Sequence, residues 1–217
     1  QITQKDNSKI SGKFLIDTGA SMAISMDVSA DEEIYIPEKN IEALLGRAIG
    51  GDISGFISRT KEVKFGSLEF SDVLTSYPNP GSYTEALRIP GRKGTIGGNI
   101  LNRVNVIFDY PNKKIYARKG QLYKKKFEYN MLGIEVIAEG TKLDKFRIVN
   151  VVETSPAAHN GVKEGDYIIK INGIDVDNYN LTKISNMFRD REGRRIRLRL
   201  RRGDQVINKK MRLKRII

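Results

Sequence analysis

A chain of 217 residues and 24.5 kDa, 39% hydrophobic and 29% charged, suits one large globular domain or two small ones and excludes fibrous, collagenous and wholly disordered classes. With no cysteine and one histidine, disulfide frameworks, the usual zinc sites and Cys- or His-based nucleophile pairs are excluded, so any catalysis falls to carboxylates, hydroxyls or lysine and no metal or cofactor is expected. The net charge of +12 is concentrated at one end: residues 189–217 carry 13 basic against 3 acidic groups, whereas residues 1–122 hold 16 against 14 and residues 123–188 hold 9 against 9.

No stretch approaches the roughly 20 consecutive apolar residues of a membrane-spanning helix. The chain opens on Gln1 rather than Met, which carries the expectation that a segment has been removed ahead of it. The first half is punctuated by Gly, Pro and Asn between short β-rich runs: Lys13 to Asp17, Glu62 to Phe65, Ser67 to Val73, Val104 to Tyr110 and Lys114 to Ala117. One short helix is predicted between Pro37 and Leu45, where Ile41, Leu44 and Leu45 share a face, and a second from Gly98 through Ile100 to Arg103. Lys119 to Tyr129 is basic and aromatic without periodicity. The domain boundary is therefore placed near residue 122, giving an all-β domain over 1–122 and a second domain over 123–217.

In that second domain strands are predicted at Gly133 to Ala138, Arg147 to Val152, Asp166 to Ile171, Arg195 to Leu200 and Gln205 to Leu213. Ser155-Pro156 opens a short helix that stops at Gly161, and Leu181 to Arg189 forms a longer one with Leu181, Ile184 and Phe188 on one face. The pattern is that of a small β-barrel with two helices. Arg195, Arg197, Arg199 and Arg201 alternate with Ile196, Leu198 and Leu200, which makes an outward basic stripe on a half-buried strand. The stripe is either a solvated face that discourages edge pairing or a dock for phospholipid head groups, nucleic acid or an acidic segment. No aromatic residues interleave it, which argues against nucleic-acid base stacking.

Phe14-Leu15-Ile16-Asp17-Thr18-Gly19-Ala20-Ser21 is an apolar strand running into a turn with one carboxylate, a glycine that admits close backbone approach, and flanking hydroxyls. An Asx-type turn explains Asp-Thr-Gly without any chemistry. The longer pattern resembles the aspartic proteases, in particular their single-lobe, retroviral-type members, over roughly residues 10 to 118. It combines this turn with Ile96-Gly97-Gly98-Asn99-Ile100-Leu101, then Val106 to Tyr110, and with the glycine-rich stretch Ile49, Gly50, Gly51, Asp52, Ile53, Ser54, Gly55 between them.

The resemblance implies a mainly β fold with an acid-protease (retropepsin-like) β-barrel lobe, and peptide-bond hydrolysis by two aspartates that share one proton. It makes Asp17 one of the pair, Thr18 a brace for the facing turn, Gly19 the point of close approach and Ser21 a hydrogen bond to the outer carboxylate oxygen. The stretch 49–55 becomes a flap over the substrate. Only one Asp-Thr-Gly is present, so the second aspartate is expected from a homodimer twin or from a preceding lobe of a longer protein, the latter favoured; a catalytically inactive scaffold is the alternative. Asp109 ends a strand before Pro111-Asn112 and reads as a turn cap, not as the second aspartate.

The block Asn150 to Ala158, then Gly161 to Gly173, resembles a PDZ domain of the arrangement found in bacterial proteases, covering roughly residues 127 to 217. Its helix start, stop and turns are also explicable without function. The resemblance implies that Leu132-Gly133-Ile134 binds the terminal carboxylate of a peptide through backbone amides. The peptide would lie beside Glu135 to Ile137, with its last side chain against Leu132, Ile134, Leu181 and Ile184. Expected partners are thus a peptide or protein substrate, a PDZ ligand peptide and a second protease lobe, in a periplasmic or cell-surface setting suggested by the bacterial relatives. His159 is expected to be an exposed helix-end residue, and Asp175 to Asn180 a turn before the helix rather than a calcium loop.

Overall fold

The computed structural model describes residues 1–48, 51–81 and 89–217, with the backbone alone for 47, 48, 51 and 52. By contacts the chain forms two units, Gln1–Phe127 with Ile217, and Glu128–Ile216. The first contains β1 (Ile2–Thr3), β2 (Lys9–Ile10), β3 (Lys13–Asp17), β4 (Ile24–Met26), β5 (Ile41–Ala48), β6 (Gly51–Phe65), β7 (Leu68–Pro78), β8 (Arg92–Gly97), α1 (Gly98–Leu101), β9 (Val104–Asp109) and β10 (Lys114–Lys119). One sheet runs in the order β2-β1-β6-β7-β4-β8-β3, with β5 paired to β6, and β9 and β10 form a separate hairpin. In β7, Leu68 and Phe70 turn inward while Glu69 and Ser71 stay in water, the period-two alternation of a sheet with one covered face, which breaks at exposed Asp72 (φ +53°) before buried Val73. Ile24, Met26, Val63, Tyr77, Ile96 and Ile100 complete that core.

Two expectations need correction. The region predicted as a helix from Pro37 to Leu45 is instead strand β5 from Ile41, paired antiparallel with β6 from Ile41↔Ile57 to Ala48↔Gly51. The helical spacing of Ile41, Leu44 and Leu45 was outweighed by the ladder that β6 offers, and Ile41 and Ala43 are buried around an exposed Glu42. The basic, aromatic stretch after residue 122 also stays with the first unit as far as Phe127. The Tyr123 ring lies 5.2 Å from Phe70 and its hydroxyl donates to the Glu69 carbonyl at 2.7 Å. Buried Arg103 donates to the carbonyls of Lys125 and Lys126 at 3.3 and 3.2 Å and stacks 3.9 Å over Phe127. Burial lowers the pKa of this guanidinium.

The second unit contains β11 (Ile134–Glu139), β12 (Lys145–Val151), α2 (Pro156–His159), β13 (Tyr167–Ile171), β14 (Ile174–Asp175), α3 (Leu181–Phe188), β15 (Arg195–Arg202) and β16 (Gln205–Arg212). Its sheet runs β11-β12-β13-β15-β16, with β14 paired to β13. α2 starts where Ser155 Oγ accepts the Ala158 N–H at 3.2 Å ahead of Pro156, and it stops at Gly161, whose φ of +68° suits glycine. α3 is capped by Asn180, whose Oδ1 accepts the Lys183 N–H at 2.8 Å. That cap accounts for the polar run 175–180 as a turn, and His159 is exposed at the end of α2. Ile196, Leu198 and Leu200 are buried and the arginines between them exposed, as their alternation predicts.

The turn before β13 is fastened to β15 by an ion pair. Asp166, fully buried, accepts from Arg202 Nε at 2.7 Å and Nη2 at 2.8 Å, and from the Lys163 amide at 2.9 Å. Burial by itself raises the pKa of the Asp166 carboxyl, but the Arg202 bonds, the Lys163 amide and the nearby cations outweigh it and hold the value below that of an ordinary aspartate. A depressed folded value means the contribution is complete above the unfolded value of about 3.9 and fades as the pH falls through the folded one. Asp166→Asn should therefore cost about 3 kcal/mol near neutrality, with the gap from the parent protein closing on acidification. Urea unfolding at a series of pH values measures both, and a gap that stays constant down to strongly acid pH would remove this account.

Candidate functional site

In the first unit the chain leaves β3 at Asp17 and returns as β4 at Ile24, and the slot between these consecutive strands is filled by β8. β8 pairs parallel with β3, Asp17 opposite Gly97, and antiparallel with β4, Ile24 opposite Ile96. The turn carrying Asp17 is thus laced to the crossing strand from behind: Gly97 N donates to Ala23 O at 2.9 Å, Gly98 N to Ala20 O at 2.7 Å and Asn99 N to Met22 O at 3.1 Å. A Cβ at Gly97 would stand 2.3 Å from Met22 O, and one at Gly98 2.9 Å from Ala20 O, so the approach requires both glycines.

Asp17 is half-buried, and its Oδ1 accepts the amides of Gly19 at 2.8 Å and Ala20 at 3.2 Å, the bonds of the Asx-type turn that the motif also allows without chemistry. Thr18, Gly19 and Ser21 are exposed in the same turn. The hydrogen bond expected from Ser21 to the carboxylate is not made; the backbone amides of the turn serve Asp17 instead. Asp109 accepts from Asn112 N at 3.1 Å and Asn112 Nδ2 at 2.9 Å, so it caps its own turn. Among the described residues no group of acids or histidine is arranged to hold a metal ion.

The predicted flap falls on the β5–β6 hairpin. Ile49 and Gly50 lie outside the described residues. Gly51 and Asp52 begin β6 opposite Ala48 and Arg47, and Ile53 and Ser54 follow opposite Gly46 and Leu44. Among the described residues β7 joins from Gly55, which faces Pro78, and Asn79 N donates to Ser54 O at 3.0 Å, so beyond Ser54 β5 and β6 form a two-stranded arm. Gly55 is its root: a Cβ there would meet Tyr77 O at 2.3 Å and Pro78 Cα at 2.8 Å.

In the second unit, β11 ends the sheet order, paired among the described residues to β12 alone, and α3 belongs to the same core. Leu132, Ile134 and Ile184 of the expected ligand pocket are fully buried, while Leu181 is half-buried against the same cluster. Gly133 has φ +72° and a Cβ there would stand 2.1 Å from Ser155 Cβ, so the position admits no side chain. The amides of this loop have a partner within the chain. Asn130 Oδ1 accepts the Leu132 N–H at 2.9 Å and the Gly133 N–H at 3.1 Å, while Asn130 Nδ2 donates to the Ile134 carbonyl. Sequence reasoning passed over Asn130; an asparagine two residues before an apolar-Gly pair is the local signal that marks such a side-chain bond.

Residues 147–202 match the family model of the PDZ domain. The second unit accordingly holds a PDZ domain, a peptide-binding fold, within a chain that is mainly β. Among solved structures, the HtrA3 PDZ domain bound to a phage-derived ligand is 19% identical, with 38% of this chain and 80% of that one covered at a TM-score of 0.31. The HtrA-type protease AlgW with a decapeptide, in its S227A form, is 18% identical, with 96% and 72% covered at 0.41. The photosystem II D1 C-terminal processing protease is 20% identical, with 39% and 22% covered at 0.34. No curated protein matches the sequence. His159, the chain's single histidine, has its Nδ1 2.7 Å from the Ser155 carbonyl and not against a hydroxyl, while Ser155 Oγ is occupied as a helix cap.

The crossing at Gly97 yields a direct test. Gly97→Ala forces a methyl group onto the Met22 carbonyl and should destabilise the first unit by about 2 kcal/mol or more, read by urea unfolding. A neutral result would mean that the crossing strand does not clamp the turn.

Proposed function

We propose that the chain is one lobe of an aspartic endopeptidase with an attached PDZ domain that binds peptide termini. The observation that carries this reading is the Asp17 carboxylate, held by two backbone amides in an exposed turn and backed by the Ile96-Gly97-Gly98 crossing strand. The exposed Thr18 and the two-stranded arm rooted at Gly55 support it. Chemistry requires a second carboxylate about 3 Å away, so that the pair shares a proton, one member taking a proton from water while the other donates to the peptide carbonyl. One Asp-Thr-Gly per chain supplies half of that pair, and the other half comes from a second lobe, either a twin chain or a further part of a longer protein. The arm closes over the bound peptide, excludes water and offers backbone hydrogen bonds.

Cleavage of a peptide library from acid to neutral pH, with solution mass recorded, tests this. A dimer that cuts, and loses all cleavage on Asp17→Asn, supports a twin-lobe enzyme. A monomer that is silent sends the test to a longer chain, and silence there with every aspartate present would leave a peptide-binding protein without hydrolysis.

In the PDZ domain, a peptide adds as a strand on the side of β11 away from β12 and its carboxylate takes the Leu132 and Gly133 amides. It can do so only by displacing Asn130 Oδ1. Asn130→Ala should tighten binding of a peptide with a free carboxyl terminus about fivefold, and Asn130→Asp, with a fixed carboxylate on the same amides, should weaken it at least as much. Titration with a carboxyl-terminal peptide library and its amidated counterpart measures both, and equal affinities across the three proteins would show that the ligand does not use these amides.

A further inference from the structure

β15 and β16 bring two pairs of like charges face to face. Their register sets Arg195 opposite Arg212 and Arg197 opposite Lys210, on the side away from buried Ile196 and Met211. Opposed side chains in such a ladder stand about 5 Å apart at Cβ, and like charges there are destabilising. The usual remedy, a neighbouring acid, is missing. Among the described residues no ion pair joins a carboxylate to Arg195, Arg197, Lys210 or Arg212: Asp190 pairs with Arg194, Glu192 accepts the Arg215 amide, and Arg212 donates to the Gly193 carbonyl at 3.2 Å.

β15 is paired on both sides, to β13 and to β16, so edge protection does not account for its arginines. Farther along the ladder Arg199 stands opposite Asn208 and Arg201 opposite Val206, so only the square sets cation against cation. It also borders a concavity of about 810 Å³ whose lining includes the four cations and Arg194, together with Asn160, Asn172, Ile196 and Met211. Asn172 fixes one wall: its amide donates to the Arg197 carbonyl at 2.8 Å and its Oδ1 accepts the Arg197 amide at 2.9 Å.

We infer that the square formed by Arg195, Arg197, Lys210 and Arg212 is a binding site for a phosphate-bearing polyanion, either a lipid head group or a soluble phosphate ester. Guanidinium forks match phosphate oxygens two at a time, and several cations converging on one concavity favour a multiply charged group over a lone carboxylate. Stacking surfaces for bases are lacking along the strand, which sets nucleic acid aside. The site lies at the β16 end of the sheet order, remote from β11, and is independent of the peptidase reading.

The test uses the full chain and two probes: inorganic pyrophosphate by calorimetric titration, and co-sedimentation with vesicles of phosphatidylcholine alone or mixed with phosphatidylglycerol. Pyrophosphate should bind with an affinity that falls as salt is added. Binding to the mixed vesicles but not to the neutral ones would identify a lipid source, and pyrophosphate binding alone a soluble one. Arg197→Glu with Lys210→Glu should weaken binding at least about tenfold, whereas Lys113→Glu with Arg118→Glu, an equal charge change in the first unit, should leave it intact. If the first pair fails to fold, Lys210→Gln alone must still weaken binding. Neither probe binding, equal loss in both double variants, or tighter binding of a DNA duplex than of either probe would overturn the inference.

Discussion

The contact between Gly97-Gly98 and the carbonyls of Ala20 and Met22 is the constraint around which the first unit is arranged. Removing side chains at two positions lets one strand pass behind a turn at hydrogen-bonding distance, and three amide–carbonyl bonds then hold the turn from behind. Everything proposed for Asp17 rests on this support. A carboxylate in an exposed turn is normally free to wander; here the backbone that presents it is part of a sheet, and the amides of Gly19 and Ala20 fix its orientation from the front.

The second unit solves a related problem with side chains. Its Leu132 and Gly133 amides belong to buried residues, and such donors are costly when left without a partner. Asn130 satisfies them from within the chain. A ligand for this loop thus competes with an internal acceptor and not with bulk water, and its affinity is the difference between two similar sets of bonds.

Much of this was legible in the sequence. The strand into Asp17, the helix after Gly97 and the PDZ order of strand, short helix, strand and long helix follow from apolar period and from Gly and Pro placement, which are local signals. The misreading of residues 37–45 shows where local signals end: Ile41, Leu44 and Leu45 fit a helical face, and only the presence of β6 decides for a strand. Arg103 holding Lys125 and Lys126, Arg202 reaching Asp166 and the like-charge square of β15 and β16 were hidden for the same reason. Each depends on which residues a fold brings together, and composition reports only that the charges exist. The arginine alternation was readable; that Lys210 and Arg212 face it is a matter of register.

The lacing of β8 between β3 and β4 has a consequence for how the protein is made. Phe14 and Gly94 are neighbours in the folded sheet yet about eighty residues apart in the chain, and ordering so long an intervening segment is a slow, entropically costly event. During synthesis the residues around Asp17 leave the ribosome early but have no partner until β8 follows. The turn therefore closes late, and the cell carries an unpaired apolar strand for that interval, with the timing of its burial set by a segment far downstream.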